Sequence, residues 1–279
     1  QVVWNTRLPT AVTAVLVGFG LGMCGALMQT LMRNPLADPY TMGVSSGASL
    51  GAALFFVLGI SVVPGLQGDV AMMANAFLMS MIPTGVMLVI TVFRRMTTTA
   101  IILSGVAVMY VFSAMTSFLM LIADPTQLSE VYIWNLGSVG RGEWGNMTMF
   151  LVPVMVCLVL AMLMSRDMDI LSSGDELAFT MGVWPNRTRI GMMAVVSLTI
   201  ATMVCFTGTI GFIGLVAPHI ARTFIGSGTR NLVLASGLVG AIVLLVAECA
   251  AREMGGLPVR GGPNGHESGA SMALAGEER

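Results

Sequence analysis

The chain has 279 residues, of which 56% are hydrophobic and 10% are charged, and its mean hydropathy is +0.87. This balance excludes an ordinary soluble domain and predicts a membrane protein. All thirteen basic residues are arginines and the net charge is -1, which excludes the broad basic surface of a nucleic-acid-binding protein.

Eight apolar runs can be marked off between breaks that contain arginine, proline or aspartate. Each has roughly the length of about 20 residues that a helix needs to cross a bilayer. The sequence therefore predicts an all-α, polytopic membrane helix bundle with about eight transmembrane helices. The runs are 10–31, 42–63, 71–93, 100–122, 147–164, 190–207, 210–225 and 232–250.

Arginine positions predict the orientation, because cytoplasmic loops keep more positive charge than external loops. If every run crosses, Arg7, Arg141 and Arg252 fall on one side. The side richer in arginine is predicted to be the cytoplasm, which leaves residue 1 outside. That side holds Arg33, Arg94, Arg95, Arg166, Arg187, Arg189, Arg222 and Arg230.

The first run carries glycines at a spacing of three to four residues, so one face of its helix is nearly bare backbone. These are Gly18, Gly22 and Gly25. Close packing against another helix is favoured over a ligand role for this face. Small and hydroxylated residues at the start of the second run favour either tight packing or a wetted path, and they are Gly43, Ser45, Ser46, Gly47 and Ser49.

A short polar link, Met96 to Thr99, precedes the fourth run. Its threonines either cap the helix that follows or line the cytoplasmic mouth of a pathway, and the residues themselves leave both interpretations open.

The first long polar interval, residues 124–144, is predicted to lie outside the membrane. Tyr132, Trp134 and Trp144 suit the interfacial belt, where aromatic rings lie at the level of the lipid headgroups. The interval is therefore predicted to contain a short helix that lies at the surface.

The second long polar interval follows the fifth run and is predicted to be cytoplasmic. In it, Ser172 or Ser173 caps a short helix that contains Asp175 and Glu176, and Gly182 ends that helix. A loop of this size is large enough to hold a partner protein.

Residues 208–222 read GTIGFIGLVAPHIAR. The glycines permit close approach of backbones, and Pro218 removes one helical hydrogen bond just before His219 and Arg222. The pattern predicts a span that ends at a specialised cytoplasmic end.

Glu248 lies within the last apolar run. A carboxylate at membrane depth is costly and usually faces the protein interior or water. Arg252 follows one turn later on the same helix face, which predicts an ion pair between the two side chains.

Residues that would carry chemistry are sparse. Neither His219 nor His266 has a nucleophile or a second metal ligand at a usable spacing, and the four cysteines show no paired spacing. A phosphate-binding GxxxxGK[ST] loop is excluded because the chain has no lysine. The sequence thus predicts no catalytic residue, no metal site and no cofactor, and an intramembrane enzyme is disfavoured.

These motifs together resemble the permease subunits of ABC importers for iron-siderophores, haem and cobalamin, the FecCD-type or type II importers. The matching stretches occur in family order and cover nearly Arg7 to Val259. They are RLPTAVTAVLVGFGLGMCGALMQTLMRNPLADPYTMGVSSGASLGA, ILSGVAV, WNLGSVGRGEW, GDELAFTMGV, GTIGFIGLVAPHIAR and LVAECAAREMGGLPV.

The resemblance implies a ten-helix subunit of the bacterial inner membrane that works as a pair with a second permease copy, identical or related. Two cytoplasmic ATPase subunits and a periplasmic or lipid-anchored substrate-binding protein would complete the importer. ATP hydrolysis would take place on the separate ATPase chains, so this subunit is not expected to be an enzyme. Residues 1–259 would form the permease domain.

The resemblance also implies roles for particular residues. Arg7 matches an arginine that contacts the binding protein, and Arg252 falls near a second such position, while Thr10 stands where the family often has another arginine. The remaining matches are Met96, Thr97, Thr98 and Thr99 at the cytoplasmic gate; Glu176, Ala178 and Gly182 in the segment that docks on the ATPase; residues 124–144 as the short outer helix near the periplasmic gate; and Gly211, Gly214, Pro218, His219 and Arg222 as family markers. Of these markers, Pro218, His219 and Arg222 would lie near the ATPase-facing surface.

The chain departs from the family pattern at its two ends. About one span of the family pattern is missing before residue 1, and residues 260–279 form a polar, glycine-rich tail, expected to be disordered, in place of a last apolar helix. Two alternatives to an iron-siderophore permease therefore stay open at this point: an importer of haem or cobalamin, and a truncated permease without function.

Overall fold

Helices account for nearly all of the structure, a computed structural model that describes residues 3–94 and 97–253. No strand occurs in these residues. The predicted tail, residues 260–279, and the predicted gate residue Met96 lie outside them. The helices are α1 (Leu8–Met32), α2 (Val44–Leu58), α3 (Gly68–Arg94), α4 (Thr98–Leu121), α5 (Pro125–Asn135), α6 (Met147–Leu163), α7 (Ser165–Ser172), α8 (Asp175–Thr180), α9 (Pro185–Thr207), α10 (Ile213–Ile225) and α11 (Thr229–Glu253).

All eight predicted runs form apolar helices, so the prediction of an all-α, multi-pass membrane bundle is confirmed. Six are long and apolar enough to cross a bilayer, namely α1, α3, α4, α6, α9 and α11. The other two, α2 and α10, have 15 and 13 residues. Helix α2 is shorter than the predicted run chiefly because it ends at Leu58, where Gly59 takes a left-handed φ of 65°. Helix α10 is shorter because residues 208–212 form a separate turn before it.

The bundle has two groups of helices with α9 between them. One group is α1 with α6, α10 and α11, and the other is α2 with α3 and α4. Helix α1 is the centre of the first group, since 19 of its 25 residues are buried. Helix α9 packs against α1 and α6 on one side and against α2 and α3 on the other, so it joins the groups.

Helix α1 packs against α10 and α11 through glycines, as predicted for its bare face. At each contact, a β-carbon added to the α1 glycine would collide with the backbone of the neighbouring helix. Because successive contacts run up α1 and down α11, these two helices are antiparallel, and the start of α1 lies at the same end as the end of α11. The contacts are Gly18 with Gly240, Gly22 with Ser236, and Gly25 with Gly214 of α10.

Helix α5 differs from the predicted surface helix because only one of its faces is exposed. A capping box formed by Asp124 and Gln127 starts the helix. Tyr132 is exposed as predicted, but Trp134 is 1% exposed and belongs to the hydrophobic core. The prediction of an interfacial position for Trp134 is therefore wrong. Helix α5 packs against α2, and at this contact the Ser49 hydroxyl donates a hydrogen bond of 2.6 Å to the side-chain oxygen of Asn135.

Candidate functional site

The end of the bundle where α1 ends and where α9 and α11 begin is the end predicted to be cytoplasmic, and it is called the inner end below. Helices α7 and α8 lie there and, with the residues up to 184, form the inner segment. This segment has an apolar side that is buried in the core, made by Met168, Leu171, Ala178 and Val183. Its outward side is also apolar, with Leu177, Phe179, Met181 and Trp184 each 49–59% exposed.

The inner segment contains two short helices where one was predicted. Helix α8 is preceded by Gly174, which makes no side-chain cap, and the Ser172 hydroxyl instead donates to the carbonyl of Asp169. The prediction of a serine cap is therefore wrong. The predicted end at Gly182 is confirmed, because Gly182 has a φ of 83° and its N–H donates to the carbonyl of Phe179 at 3.1 Å. A positive φ of this kind favours glycine.

The three residues that the resemblance assigned to this segment do not share one side. Glu176 and Gly182 are exposed, next to the outward apolar side chains. Ala178 is 0% exposed and belongs to the core cluster. Ala178 can therefore seat α8 on the bundle, whereas Glu176 and Gly182 are available to a partner.

An ion cluster joins α8 to two membrane helices, and the sequence reasoning missed it. The guanidinium of Arg189, in α9, is completely buried and donates two hydrogen bonds to the Asp175 carboxylate, at 2.8 and 2.7 Å. Arg33, the residue after α1, lies 3.1 Å from the same carboxylate. The hydrogen bonds from Arg189, together with the charges of Arg189 and Arg33, hold the pKa of Asp175 below its ordinary value although burial acts in the opposite direction.

A second carboxylate of the inner segment contacts another membrane helix. Asp169, in α7, accepts a hydrogen bond of 2.8 Å from the backbone N–H of Thr229, the first residue of α11. The first N–H groups of a helix have no partner within the helix, so a carboxylate is favourable there. Asp169 and Asp175 thus both contact the ends of membrane-spanning helices.

Helix α4 is the least covered of the long helices, with four of its 24 residues buried. Thr97 caps it, since its hydroxyl accepts a hydrogen bond of 3.3 Å from the N–H of Ala100. The capping interpretation of the threonine link is therefore confirmed for Thr97. Further along α4, Tyr110, Ser113 and Ser117 are exposed within about 60° of one another around the helix axis.

The opposite, outer end of the bundle contains the two arginines that the resemblance assigned to a binding protein. Arg7 is exposed beside the start of α1, and Thr10 is buried with its hydroxyl bonded to the carbonyl of Thr6. Arg252 pairs with Glu248 at 2.6 Å, which confirms the predicted ion pair. The antiparallel packing of α1 and α11 brings Arg7 and Arg252 to the same end of the bundle.

Residues 208–222 form a turn followed by α10. Phe212 has a φ of 68°, and the hydroxyl of Tyr40 donates to the carbonyl of Ile210 at 3.0 Å, so the turn is fixed by residues that follow α1. The five residues that the resemblance assigned as markers do not converge on one point. Gly211 and His219 are exposed, Gly214 and Pro218 are buried, and Arg222 is half-buried.

Comparison with known proteins agrees with this architecture. A solved chain of a transporter described as a metal-chelate type ABC transporter, in an inward-facing conformation, matches with a TM-score of 0.82 and 29% identity, covering 91% of this chain and 80% of that one. The bundle is thus that of an ABC transporter permease. The chain belongs to the FecCD transport family, whose model matches residues 1–260.

Relatives with assigned transport systems are similar over most of the chain. The hemin transport system permease protein of Yersinia pestis is 34% identical over 253 residues, which cover 90% of this chain and 75% of the relative. The cobalamin import system permease protein of Halobacterium salinarum is 36% identical over 252 residues, which cover 90% of this chain and 66% of the relative. The resemblance inferred from the sequence is therefore confirmed at the level of the family.

Proposed function

We propose that the chain is the membrane permease of an ATP-driven importer and that, with a second copy, it forms the pathway for an iron-siderophore complex delivered by a binding protein. The observation that carries this proposal is the inner segment, which presents exposed apolar side chains at the end of the bundle predicted to face the cytoplasm. A bacterial inner membrane is the location that fits these partners.

The inner segment is the proposed contact for the ATPase subunit. Leu177, Phe179 and Met181 would stay in water if the chain acted alone, and an exposed apolar patch of this kind is typical of a protein interface. Glu176 adds a negative charge at the edge of the patch, and Gly182 permits close approach of a partner. ATP-driven movement of two ATPase subunits would then act on the permease pair through this surface.

The open face of α4 is the proposed wall of the pathway. Tyr110, Ser113 and Ser117 offer hydroxyl groups that lipid tails cannot bond, so water or a second protein chain is the better neighbour for this face. Thr97, Thr98 and Thr99, with Met96, would then lie at the inner mouth of the same pathway, where a gate is proposed.

The outer end is the proposed contact for the substrate-binding protein. The exposed guanidinium of Arg7 is suited to a carboxylate on that protein, and charge pairs at the rim of an interface steer docking. Arg252 is proposed as a second contact, although its guanidinium is shared with Glu248. Thr10 is buried and offers no such contact.

An iron chelate is the proposed substrate class, supported by the structural match to a transporter described as metal-chelate type. Haem and cobalamin are the competing substrates because relatives of similar identity are named for them. The exposed hydroxyl groups of α4 suit a polar chelate whose surface forms hydrogen bonds.

Uptake by proteoliposomes tests the proposal. The chain is reconstituted with the ATPase and the binding protein of its importer, and a labelled ferric siderophore, haem and cobalamin are offered separately. The proposal predicts uptake of the siderophore that requires both ATP and the binding protein. Preferred uptake of haem or cobalamin would contradict the substrate, and uptake that needs neither ATP nor the binding protein would contradict the importer.

A pair of variants tests the ATPase contact directly. Phe179→Asp places a charge in the outward apolar surface and should abolish co-purification of the ATPase. Phe212→Asp is the matched control, because Phe212 is also an exposed phenylalanine but lies just before α10, at the end of that helix opposite to its inner end. If both variants retained the ATPase equally, the assignment of the inner segment would be wrong.

A further inference from the structure

We propose that Asp169 and Asp175 are positioning residues that tie the inner segment to the inner ends of α1, α9 and α11, so that these elements move as one body. The tie is a property of this chain, and only its use in transport rests on the proposed contact with an ATPase. The two carboxylates accept hydrogen bonds from membrane helices, Asp175 from Arg189 and Asp169 from Thr229.

The Asp175 tie depends on Arg189, whose buried guanidinium bonds both α8 and α1. Two N–H groups bond the Asp175 carboxylate, and the Nε–H bonds the carbonyl of Leu31 in the last turn of α1, at 3.1 Å. One side chain of α9 therefore holds both α8 and α1. A buried guanidinium cannot exchange these partners for water, in contrast to a surface ion pair.

Arg33 strengthens the same tie from the end of α1. It lies 3.1 Å from Asp175, and its backbone is in the left-handed region with a φ of 49°. Its N–H bonds the carbonyl of Thr30, which fixes the chain as it leaves the helix. The last turn of α1 is thus linked to α8 both through Arg33 and through the Leu31 carbonyl.

The Asp169 tie adds α11. The Asp169 carboxylate bonds the N–H of Thr229, while Met168 and Leu171 on the same helix are completely buried. Helix α7 is therefore held by its apolar side and by a hydrogen bond to the start of α11. Asp167, also in α7, makes no side-chain hydrogen bond or ion pair with any residue between 3 and 94 or between 97 and 253, which makes it a matched control.

Distance measurements between paired spin labels test whether these elements move as one body in the protein with both ties intact. Labels are introduced as unnatural amino acids at two exposed positions, Ser173 in the inner segment and Asn231 in α11, so that the native cysteines remain. The proposal predicts one narrow distance distribution in the isolated chain, unchanged in the assembled complex with or without ATP. A distance that shifts with ATP would overturn it.

Variants test what the ties do for transport. Asp169→Ala and Asp175→Asn should broaden the distance distribution and lower the amount of substrate moved per ATP hydrolysed, whereas Asp167→Asn should change neither. Asp175→Glu should restore most of the loss, because the carboxylate is kept. A purely structural role would lower the amount of complex and leave the ratio of transport to hydrolysis unchanged, and that result would overturn the proposal.

The milder variant Arg33→Gln covers the case in which loss of the Asp175 carboxylate prevents folding. It leaves the hydrogen bonds between the buried Arg189 and the partly exposed Asp175 intact, so it should broaden the same distribution to a smaller degree. An unchanged distribution in both Arg33→Gln and Asp169→Ala would overturn the proposal. Failure of the unaltered chain to bind any ATPase would contradict the proposed function instead, since the distances in the isolated chain are measured without it.

Discussion

Helices α1 and α4 have closely matched mean hydropathy, yet α1 is the buried centre of the bundle and α4 is largely uncovered. Apolar residues gain little from exchanging lipid for protein, so hydropathy does not decide which helix becomes the centre. The difference lies in side-chain size. Gly18, Gly22 and Gly25 let α1 approach its neighbours at backbone distance, whereas α4 carries Leu103, Tyr110 and Phe118 on its open side.

The same contrast separates the packed residues that hold the fold from the exposed surfaces proposed to contact partners. Changes at the packed centre should destroy the fold, whereas changes on α4, on the outward side of the inner segment or at Arg7 should leave the fold intact and impair work with partners. The predictions below test this separation, beginning with the largest effect.

Gly22→Leu should have the largest effect. A β-carbon at Gly22 meets the carbonyl group of Ser236, so α1 and α11 must separate, at a cost of about 3 kcal/mol or more. The expected result is little folded protein, measured as the monodisperse fraction in detergent and as the melting temperature. Gly191→Leu is the control, because a β-carbon at Gly191 in α9 meets open space. Similar stability of the two variants would contradict glycine packing at the centre.

Gly182→Trp should abolish coupled uptake while the protein stays in the membrane. Bulk at this exposed turn would block approach of the proposed ATPase partner, in addition to backbone strain of about 1–2 kcal/mol at positive φ. Gly65→Trp is the control, since Gly65 is exposed at a φ of 89° in the loop between α2 and α3, away from the inner segment. Uptake is measured with equal amounts of each variant in the membrane. Equal losses of uptake in both variants would show that backbone strain causes the effect, and would contradict a docking role for Gly182.

Arg7→Glu should weaken association with the binding protein roughly tenfold at low salt, about 1.4 kcal/mol, without loss of stability. The difference should shrink as salt rises, because charges at an exposed rim are screened beyond about 10 Å at 0.1 M salt. Titration of the binding protein at two salt concentrations measures this. Arg230→Glu at the inner end is the control, and equal binding by both variants at low salt would exclude Arg7 from the contact.

Features that depend on local pattern could be predicted from the sequence. The eight apolar helices, the packing face of α1, the Thr97 cap and the pair of Glu248 with Arg252 each involve residues within one helix or one run. Their physical causes, which are helix length, side-chain size and the repeat of the helix, are properties of neighbouring residues in the chain.

Features that depend on distant partners could not be predicted. In the sequence, Arg33 and Arg189 indicate only topology, because an arginine in isolation does not reveal that a carboxylate such as Asp175 will lie beside it. The one available signal was the position of Arg189 at the edge of an apolar run, where an unpaired charge is costly. The burial of Trp134 likewise depends on α5 packing against the rest of the bundle, which a tryptophan in a polar interval does not reveal.

The smallest effect is expected from pH. The folded-state pKa of Asp175 is lowered, so its ion cluster contributes fully above the unfolded value of about 3.9 and is lost as pH falls through the folded value. The α8 contact should therefore be unchanged between about pH 8 and pH 5. Spin-label distances from Ser173 to Asn231 across this range check it. A distance change near neutral pH would contradict the role of Asp175.

The accessibility of Ser117→Cys in the assembled importer tests whether the open face of α4 lines a pathway between two copies, as proposed. The native cysteines are replaced, and Val156→Cys on the exposed side of α6 is the lipid-facing control. We expect Ser117→Cys to react with a charged, water-soluble thiol reagent and to cross-link the two copies, while Val156→Cys reacts only with a membrane-soluble reagent. Reaction of Ser117→Cys only with the membrane-soluble reagent, without cross-linking, would contradict the claim.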